Sequence, residues 1–412
     1  MEFREHRLEN GLQIVAEVNP QAHSLAVGFF VETGARDEAP AEAGLSHFLE
    51  HMMFKGTPTR SAADVNREFD EMGAHYNAFT SEENTVYYAA VLPEFQQQAV
   101  GLLGDILRPS LRGEDFDTEK QVILEEIQMY EDQPPFCADE KCKAMLFGAH
   151  PLGNSVLGTG DSVSALTVEA MRNYWTRRYG PQDIALVATG NVDFDALVKL
   201  AESVCGGWER QDGGRTVVKA EAQPGFACVH KPSATQEYLL QMAPAPAAED
   251  TDRYAAKLLT TILGDDTGSR LYWELVDPGL AEHASVAHYD YQGTGLYMTY
   301  VSCAPQDAAQ NLERLGDTLA DLEAHGITDE ELALAKNKVS SRVVLSGERP
   351  RGRLFTVGTN WTQRQEYRSV RDDLDAVAAL TRDDLMAVLA KFPFSKSATL
   401  AIGPLADLVP QG

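Results

Sequence analysis

Cysteine is scarce in this chain of 412 residues: Cys137, Cys142, Cys205, Cys228 and Cys303 are odd in number, scattered, and form no CxxC pair. Neither a disulfide framework nor a thiolate zinc site is suggested by that pattern, and a reducing cytoplasm is the expected location. No apolar run approaches the ~20 residues needed to span a bilayer. The start, MEFREHRLENGLQIVAEV, lacks a basic segment followed by an apolar core, so no signal peptide is expected. Basic residues are also few, 35 against 62 acidic ones, for a formal charge of −27. A balance that negative argues against nucleic acid and anionic membranes as partners, because both reward basic patches. No GxxxxGK[ST] phosphate loop occurs.

What is present is globular. A hydrophobic fraction of 44% with 8% aromatics can build packed cores. The length calls for two or more domains of ~100–200 residues. Periodicity predicts strands near 3–17 and 24–33, then helices over about 43–54 and 62–72. Strands at 75–80 and 85–91 come next, with long helices over 94–107 and 116–131. Gln133-Pro134-Pro135 ends the last of these.

Gly- and Pro-rich sequence at 205–225 is the best linker, and the half of the chain beyond it repeats the half before it. Pro93 and its helix are matched by Pro305 and a helix, an offset of 212, and Asp117-Thr118-Glu119 by Asp329-Glu330-Glu331 at the same offset. Ala165-Leu166-Thr167 and the strand 184–190 resemble Ala379-Leu380-Thr381 and the strand 399–403. The expectation is a duplicated α+β unit, with a domain at 1–208, a linker at 209–225 and a second domain at 226–412. Each domain is expected to pack helices on one face of a mostly antiparallel sheet.

The chemistry concentrates in His47-Phe48-Leu49-Glu50-His51. On a helix, positions three and four apart share a face, so His47, Glu50 and His51 project together. Two imidazoles one turn apart suit zinc, and a carboxylate between them suits proton abstraction from water. A short motif of this kind also arises by chance. Its flanks, Leu45, Phe48, Leu49, Met52 and Met53, make the helix apolar on nearly every side, and ionisable groups buried there need a partner. A catalytic zinc usually has three protein ligands. The helix at 116–131 offers Glu119, Glu125, Glu126 and Glu131, of which Glu119 and Glu126 lie on nearly one stripe.

The order H-x-x-E-H is the inverzincin pattern. Together with GLSHFLEHMMFKGT (44–57), GAHYNAFTSEENTVYY (73–88) and EKQVILEE (119–126), it resembles peptidase family M16, the pitrilysin and insulysin group that includes mitochondrial processing peptidase. His150-Pro151-Leu152-Gly153, Val156-Leu157-Gly158-Thr159 and Asn191-Val192-Asp193 also match, while the second half matches best at Gly268-Ser269-Arg270-Leu271. The resemblance implies a Zn2+ endopeptidase of the compact two-domain kind, whose halves enclose a chamber for short or unfolded peptides. It implies Glu126 as the third ligand, with 74 residues between it and His51, and Glu125 outside the family spacing. Glu50 becomes the catalytic base and Glu119 a support of the ligands. It also implies an exposed sheet edge at Asn77, Ala78 and Phe79 where a peptide adds as a strand.

Two features depart from the pattern. Offset by 212, the metal positions read Leu259, Ile262, Leu263 and Lys338, so one zinc per chain is expected. The arginine and tyrosine that relatives carry in the second half fall on Val276 and Glu282. The implied assembly is a heterodimer in which this chain bears the metal and a partner supplies the Arg/Tyr pair, with a homodimer as the runner-up. The competing class is a non-catalytic or partner-dependent subunit that binds peptides.

Overall fold

The structure, a computed structural model, describes residues 1–211 and 213–409. In chain order the first half contains strands β1 (Glu2–Arg7), β2 (Gln13–Val18) and β3 (Leu25–Val31), then helices α1 (Leu45–Met53) and α2 (Ala62–Glu71). Strands β4 (His75–Thr80) and β5 (Thr85–Val91) precede helices α3 (Gln96–Ile106), α4 (Gly113–Asp132), α5 (Ala138–Phe147), α6 (Gly160–Ala165) and α7 (Val168–Arg178). Strand β6 (Ile184–Gly190) and helix α8 (Phe194–Cys205) complete it. The second half runs β7 (Gly225–His230), β8 (Glu237–Ala245), α9 (Arg253–Gly264), β9 (His283–Tyr291) and β10 (Thr294–Cys303). It ends with α10 (Ala308–His325), α11 (Asp329–Gly347), α12 (Pro350–Arg364), α13 (Val370–Ala379), α14 (Arg382–Lys391) and β11 (Ala398–Gly403). Among the described residues no helix is long and apolar enough to cross a membrane.

The expected strand over 3–17 is two strands. Asn10-Gly11 turns the chain, Gly11 taking φ +99°, and β1 pairs antiparallel with β2. An Asn-Gly between alternating segments is a turn signal that glycine's tolerance of positive φ explains.

Two compact units result, each a sheet with helices. Unit 1 comprises Met1–Met129, Asn154–Thr216 and Leu345–Arg368, and unit 2 comprises Tyr130–Gly153, Val217–Val344 and Ser369–Gly412. The sheet of unit 1 has the order β1-β2-β6-β3-β5-β4, parallel only between β2 and β6. That of unit 2 has the order β7-β11-β8-β10-β9, parallel only between β7 and β11. Strand for strand, β2-β6-β3-β5-β4 corresponds to β7-β11-β8-β10-β9, which is the topology expected of a duplication.

The sequential division misses one segment of each unit. Helix α12 belongs to unit 1, where Leu354, Val357 and Trp361 pack with Val15, Phe30, Tyr88 and Val187. Helix α5 belongs to unit 2, where Cys142, Leu146 and Phe147 pack with Leu240, Met242 and Leu400. Each unit is thus the expected sheet with helices packed on it, and one helix from the other half of the sequence adds cover on the opposite face. The cause is written in the central strands: LAVGFFV in β3 and IALVATG in β6 are buried at every position. A strand apolar on both faces must be covered on both.

Candidate metal centre

Helix α1 begins at Gly44, whose φ of +89° and contact with Leu157 O, 2.5 Å from where a Cβ would sit, leave no room for a side chain. The orphan amides of its first turn are met by a residue outside the helix. Glu38 accepts hydrogen bonds from Gly44 N at 2.8 Å and Ser46 N at 2.6 Å. Burial pushes the Glu38 carboxyl up to about 8 despite those bonds. Ser46 Oγ is 2.6 Å from Tyr174 OH, which fixes the helix further. Leu45, Phe48, Leu49, Met52 and Met53 are all buried, so the helix is held by its apolar side while 47, 50 and 51 share the other.

Helix α4 meets α1 through Phe116 stacked on Phe48, ring centroids 4.6 Å apart. That contact brings Glu126 Oε2 to 3.8 Å from His47 Nε2 and 3.6 Å from His51 Nε2. Both distances exceed a hydrogen bond, yet they approach the about 3.4 Å edge of a tetrahedron with zinc–ligand bonds near 2.1 Å. Among the described residues this is the one cluster of metal-ligating type, its donor atoms all within 4.8 Å of one another. Two imidazole nitrogens and a carboxylate oxygen are a donor set that zinc accepts, so the residues fit the ion.

The surroundings prepare the donors. Glu119 Oε1 lies 2.8 Å from His51 Nδ1, so Nδ1 carries the proton and Nε2 offers its lone pair. Glu119 is itself held by Lys55 Nζ at 2.5 Å. Burial works against a charged His51, but the Glu119 hydrogen bond and the Glu126 and Glu50 carboxylates outweigh it and raise its pKa. His47 is pushed down to about 3 by burial and by the neighbouring His51, which keeps it neutral, as a ligand must be. Its Nδ1 is buried with no hydrogen-bond partner among the described residues. Glu50 is raised by burial, against the hydrogen bond that its Oε2 accepts from Thr80 Oγ1 at 2.7 Å.

Of the four glutamates weighed from sequence, Glu126 is in the cluster and Glu119 bonds His51, whereas Glu125 and Glu131 are exposed and outside it. Asn77, Ala78 and Phe79 lie on β4, the last strand of the sheet. Asn77 Oδ1 accepts from Ala78 N at 2.9 Å, so that amide faces away from β5, on the free side of the strand. Thr80 ends the same strand, which joins the sheet edge to Glu50. In unit 2, Val276 is half-buried in a helical turn and Glu282 is exposed. Glu38 and Lys55 escaped the sequence reading, which took Thr80 only as the end of the edge strand and missed its bond to Glu50. Each acts across the fold, and only Lys55, one turn beyond His51, had a local signal.

The chain resembles known proteins over nearly its whole length. Residues 13–160 match the model of insulinase, peptidase family M16, and residues 165–339 match that of the peptidase M16 inactive domain. An uncharacterized zinc protease of Mycobacterium tuberculosis is 33% identical over 410 residues, covering 97% of this chain and 93% of its own. The chain belongs to peptidase family M16. Another uncharacterized zinc protease, YmxG of Bacillus subtilis, is 31% identical over 402 residues, covering 97% of this chain and 98% of its own. A Helicobacter pylori protease shares the fold with a TM-score of 0.92 at 22% identity, covering 98% of this chain and 99% of that one. A Pseudomonas fluorescens structure described as a peptidase M16 inactive domain also gives 0.92, at 16% identity and full coverage of both chains.

Proposed function

We propose that this M16 member is a zinc-dependent endopeptidase acting on peptides or short unfolded polypeptides. The observation that carries the reading is the convergence of His47, His51 and Glu126 on one point beside Glu50. His47, His51 and Glu126 would hold the zinc, which when bound would supply Lewis-acid chemistry to the scissile carbonyl and to a water. Glu50 takes the proton from that water through Oε1, because Thr80 occupies Oε2, and returns it to the leaving amine. Its raised pKa makes it the better proton acceptor. An extended peptide adding beside β4 exchanges main-chain hydrogen bonds with the free edge, displacing Asn77 Oδ1 from the Ala78 amide. Glu50→Gln, assayed for zinc content and for cleavage of a quenched peptide, tests the assignment. It is expected to keep zinc and lose ~10²–10⁴ in rate. Parent protein that binds no zinc would defeat the reading.

Val276 and Glu282 favour a second, narrower reading. With no arginine or tyrosine at those positions, an oxyanion donor commonly worth ~3–4 kcal/mol is missing from this stretch of the chain. We infer a dimer whose partner supplies that pair, or a peptide-binding subunit without it. Size-exclusion mass combined with peptidase assays decides: full activity as a monomer or homodimer sinks the partner requirement.

A further inference from the structure

Residue 215 lies in the stretch expected to be a linker, yet its side chain is only 9% exposed. Arg215 Nε and one terminal nitrogen grip Asp37 Oδ1 and Oδ2 at 2.8 and 2.6 Å, a forked, charge-assisted pair. The same terminal nitrogen donates to Glu83 O at 2.5 Å, and the other stands 3.7 Å from Glu83 Oε1. Glu83 sits in the turn between β4 and β5, whose first residue, Ser81, directly follows Thr80. The segment carrying Asp37 is bound to that turn as well: Ala35 N donates to Ser81 O at 3.2 Å, Arg36 N donates to Glu82 O at 2.9 Å, and the Arg36 side chain pairs with Glu83. One residue beyond Asp37 is Glu38, which caps the first turn of α1. A continuous path therefore runs from the metal-bearing helix, through residues 34–38, to the β4–β5 turn and the Thr80 that holds Glu50. Arg215 closes it by binding both Asp37 and Glu83.

We propose that Arg215 is a positioning residue of the peptidase site, fixing the β4–β5 hairpin against the segment that caps α1. Asp37 also meets Arg178 Nη2 at 3.1 Å, and Glu83 keeps Arg36. Removal of Arg215 thus leaves each acid with a cation, and what is lost is the clamp on the turn. A lysine cannot replace it fully, because one ammonium cannot make the fork to Asp37 and the bond to Glu83 O together.

The kinetic part rests on the peptidase reading, but the hairpin part does not, so two measurements are made on zinc-loaded full-length protein. In Arg215→Ala, zinc stays at about one per chain, amide exchange over residues 76–84 accelerates by about tenfold or more, and kcat/KM falls ~10–100-fold. KM rises because the edge strand is loose, and kcat falls because Thr80 no longer holds Glu50 in place. Arg215→Lys is intermediate in both, and added guanidinium partly restores the alanine variant. Exchange and kcat/KM both close to the parent's overturn the proposal. Zinc loss or global unfolding in the alanine variant, together with a lysine variant like the parent, also overturns it, since the role is then structural. Faster exchange in the alanine variant, when the parent itself cleaves nothing, supports the clamp and removes the peptidase reading alone.

Discussion

The two units solve one packing problem with opposite chemistry. Where unit 1 places His47, Glu50 and His51, unit 2 places Leu259, Ile262 and Leu263, exposed by 0%, 5% and 0% and part of its main apolar core. The position of Glu126 is taken by Lys338, whose ammonium is 2.8 Å from Asp265. Glu119 has a surviving counterpart in Glu331, but its partner is Arg270 Nε at 2.7 Å where Glu119 faces His51. Both units thus keep a carboxylate at this turn of the long helix and change the nitrogen group that meets it. The strand order does not depend on which group is used. The candidate metal site is a local substitution on a fold that unit 2 builds with apolar residues at the same helix positions, in line with the rule that function is grafted onto folds.

Grafting the identities of unit 2 into unit 1 is the strongest attempt to break that comparison. His47→Leu, Glu50→Ile and His51→Leu together are expected to abolish zinc binding and to reduce hydrolysis of a quenched peptide to the buffer rate. Stability should not fall below that of chelated parent, because replacing buried ionisable groups by packed aliphatic ones is often neutral or stabilising by ~1–4 kcal/mol. Metal analysis and thermal unfolding in the presence of chelator decide. An unfolded variant would mean that the metal positions are part of what specifies the fold of unit 1.

The next largest effect concerns the helix that each unit receives from the other half of the sequence. Leu354 in α12 and Leu146 in α5 are both fully buried. Truncation of either to alanine should cost ~2–5 kcal/mol, the range for a buried leucine whose cavity does not collapse. Amide exchange should localise each loss, Leu354→Ala at β3 and β6, Leu146→Ala at β8 and β11. Protection lost equally in both sheets would show that the units unfold as one.

These two helices also mark where sequence reading stopped. The strands at 75–80, 85–91 and 184–190 were legible to the residue, and α1 and α2 to within two, because each carries its own period and its own boundary residues. The candidate ligands His47 and His51 and the candidate base Glu50 were legible for the same reason, being coupled by helical geometry alone. Glu126 was legible only as one of four acids until the family spacing selected it. The crossing of α5 and α12 is a long-range choice that no local period encodes. The uniformly apolar β3 and β6 did announce a second covered face, without saying which helix covers it. Glu38, Thr80 and Arg215 act through contacts between distant segments, and nothing near them in the chain marks their role.

A smaller effect separates the two retained carboxylates. Glu119→Gln should weaken zinc binding ~10–100-fold, as loss of the group orienting a ligating imidazole does. Glu331→Gln should leave zinc content unchanged, because its partners are Arg270 and the amide of Thr328 at 2.7 Å. Competition with a chelator of known affinity measures both. Equal loss in the two variants would refute the separation of metal chemistry from the scaffold.

Glu331 has a pH signature of its own. Burial acts to raise its carboxyl, but the hydrogen bonds from Arg270 and Thr328 outweigh that and hold it below the ordinary glutamate value of 4.5. A carboxyl depressed in the folded state adds stability that is fully present above the unfolded pKa and is lost as pH falls through the folded one. Parent and Glu331→Gln should therefore differ most in unfolding midpoint near pH 7 and converge well below pH 4.5. The pair is partly exposed, so solvent screening keeps the difference small, and it should shrink further in high salt. A gap that persists unchanged into acid would mean that the charge of Glu331 contributes nothing. Its hold on α11 would then come from hydrogen-bond geometry alone, and the parallel with Glu119, whose charge faces a cation by design of the site, would end there.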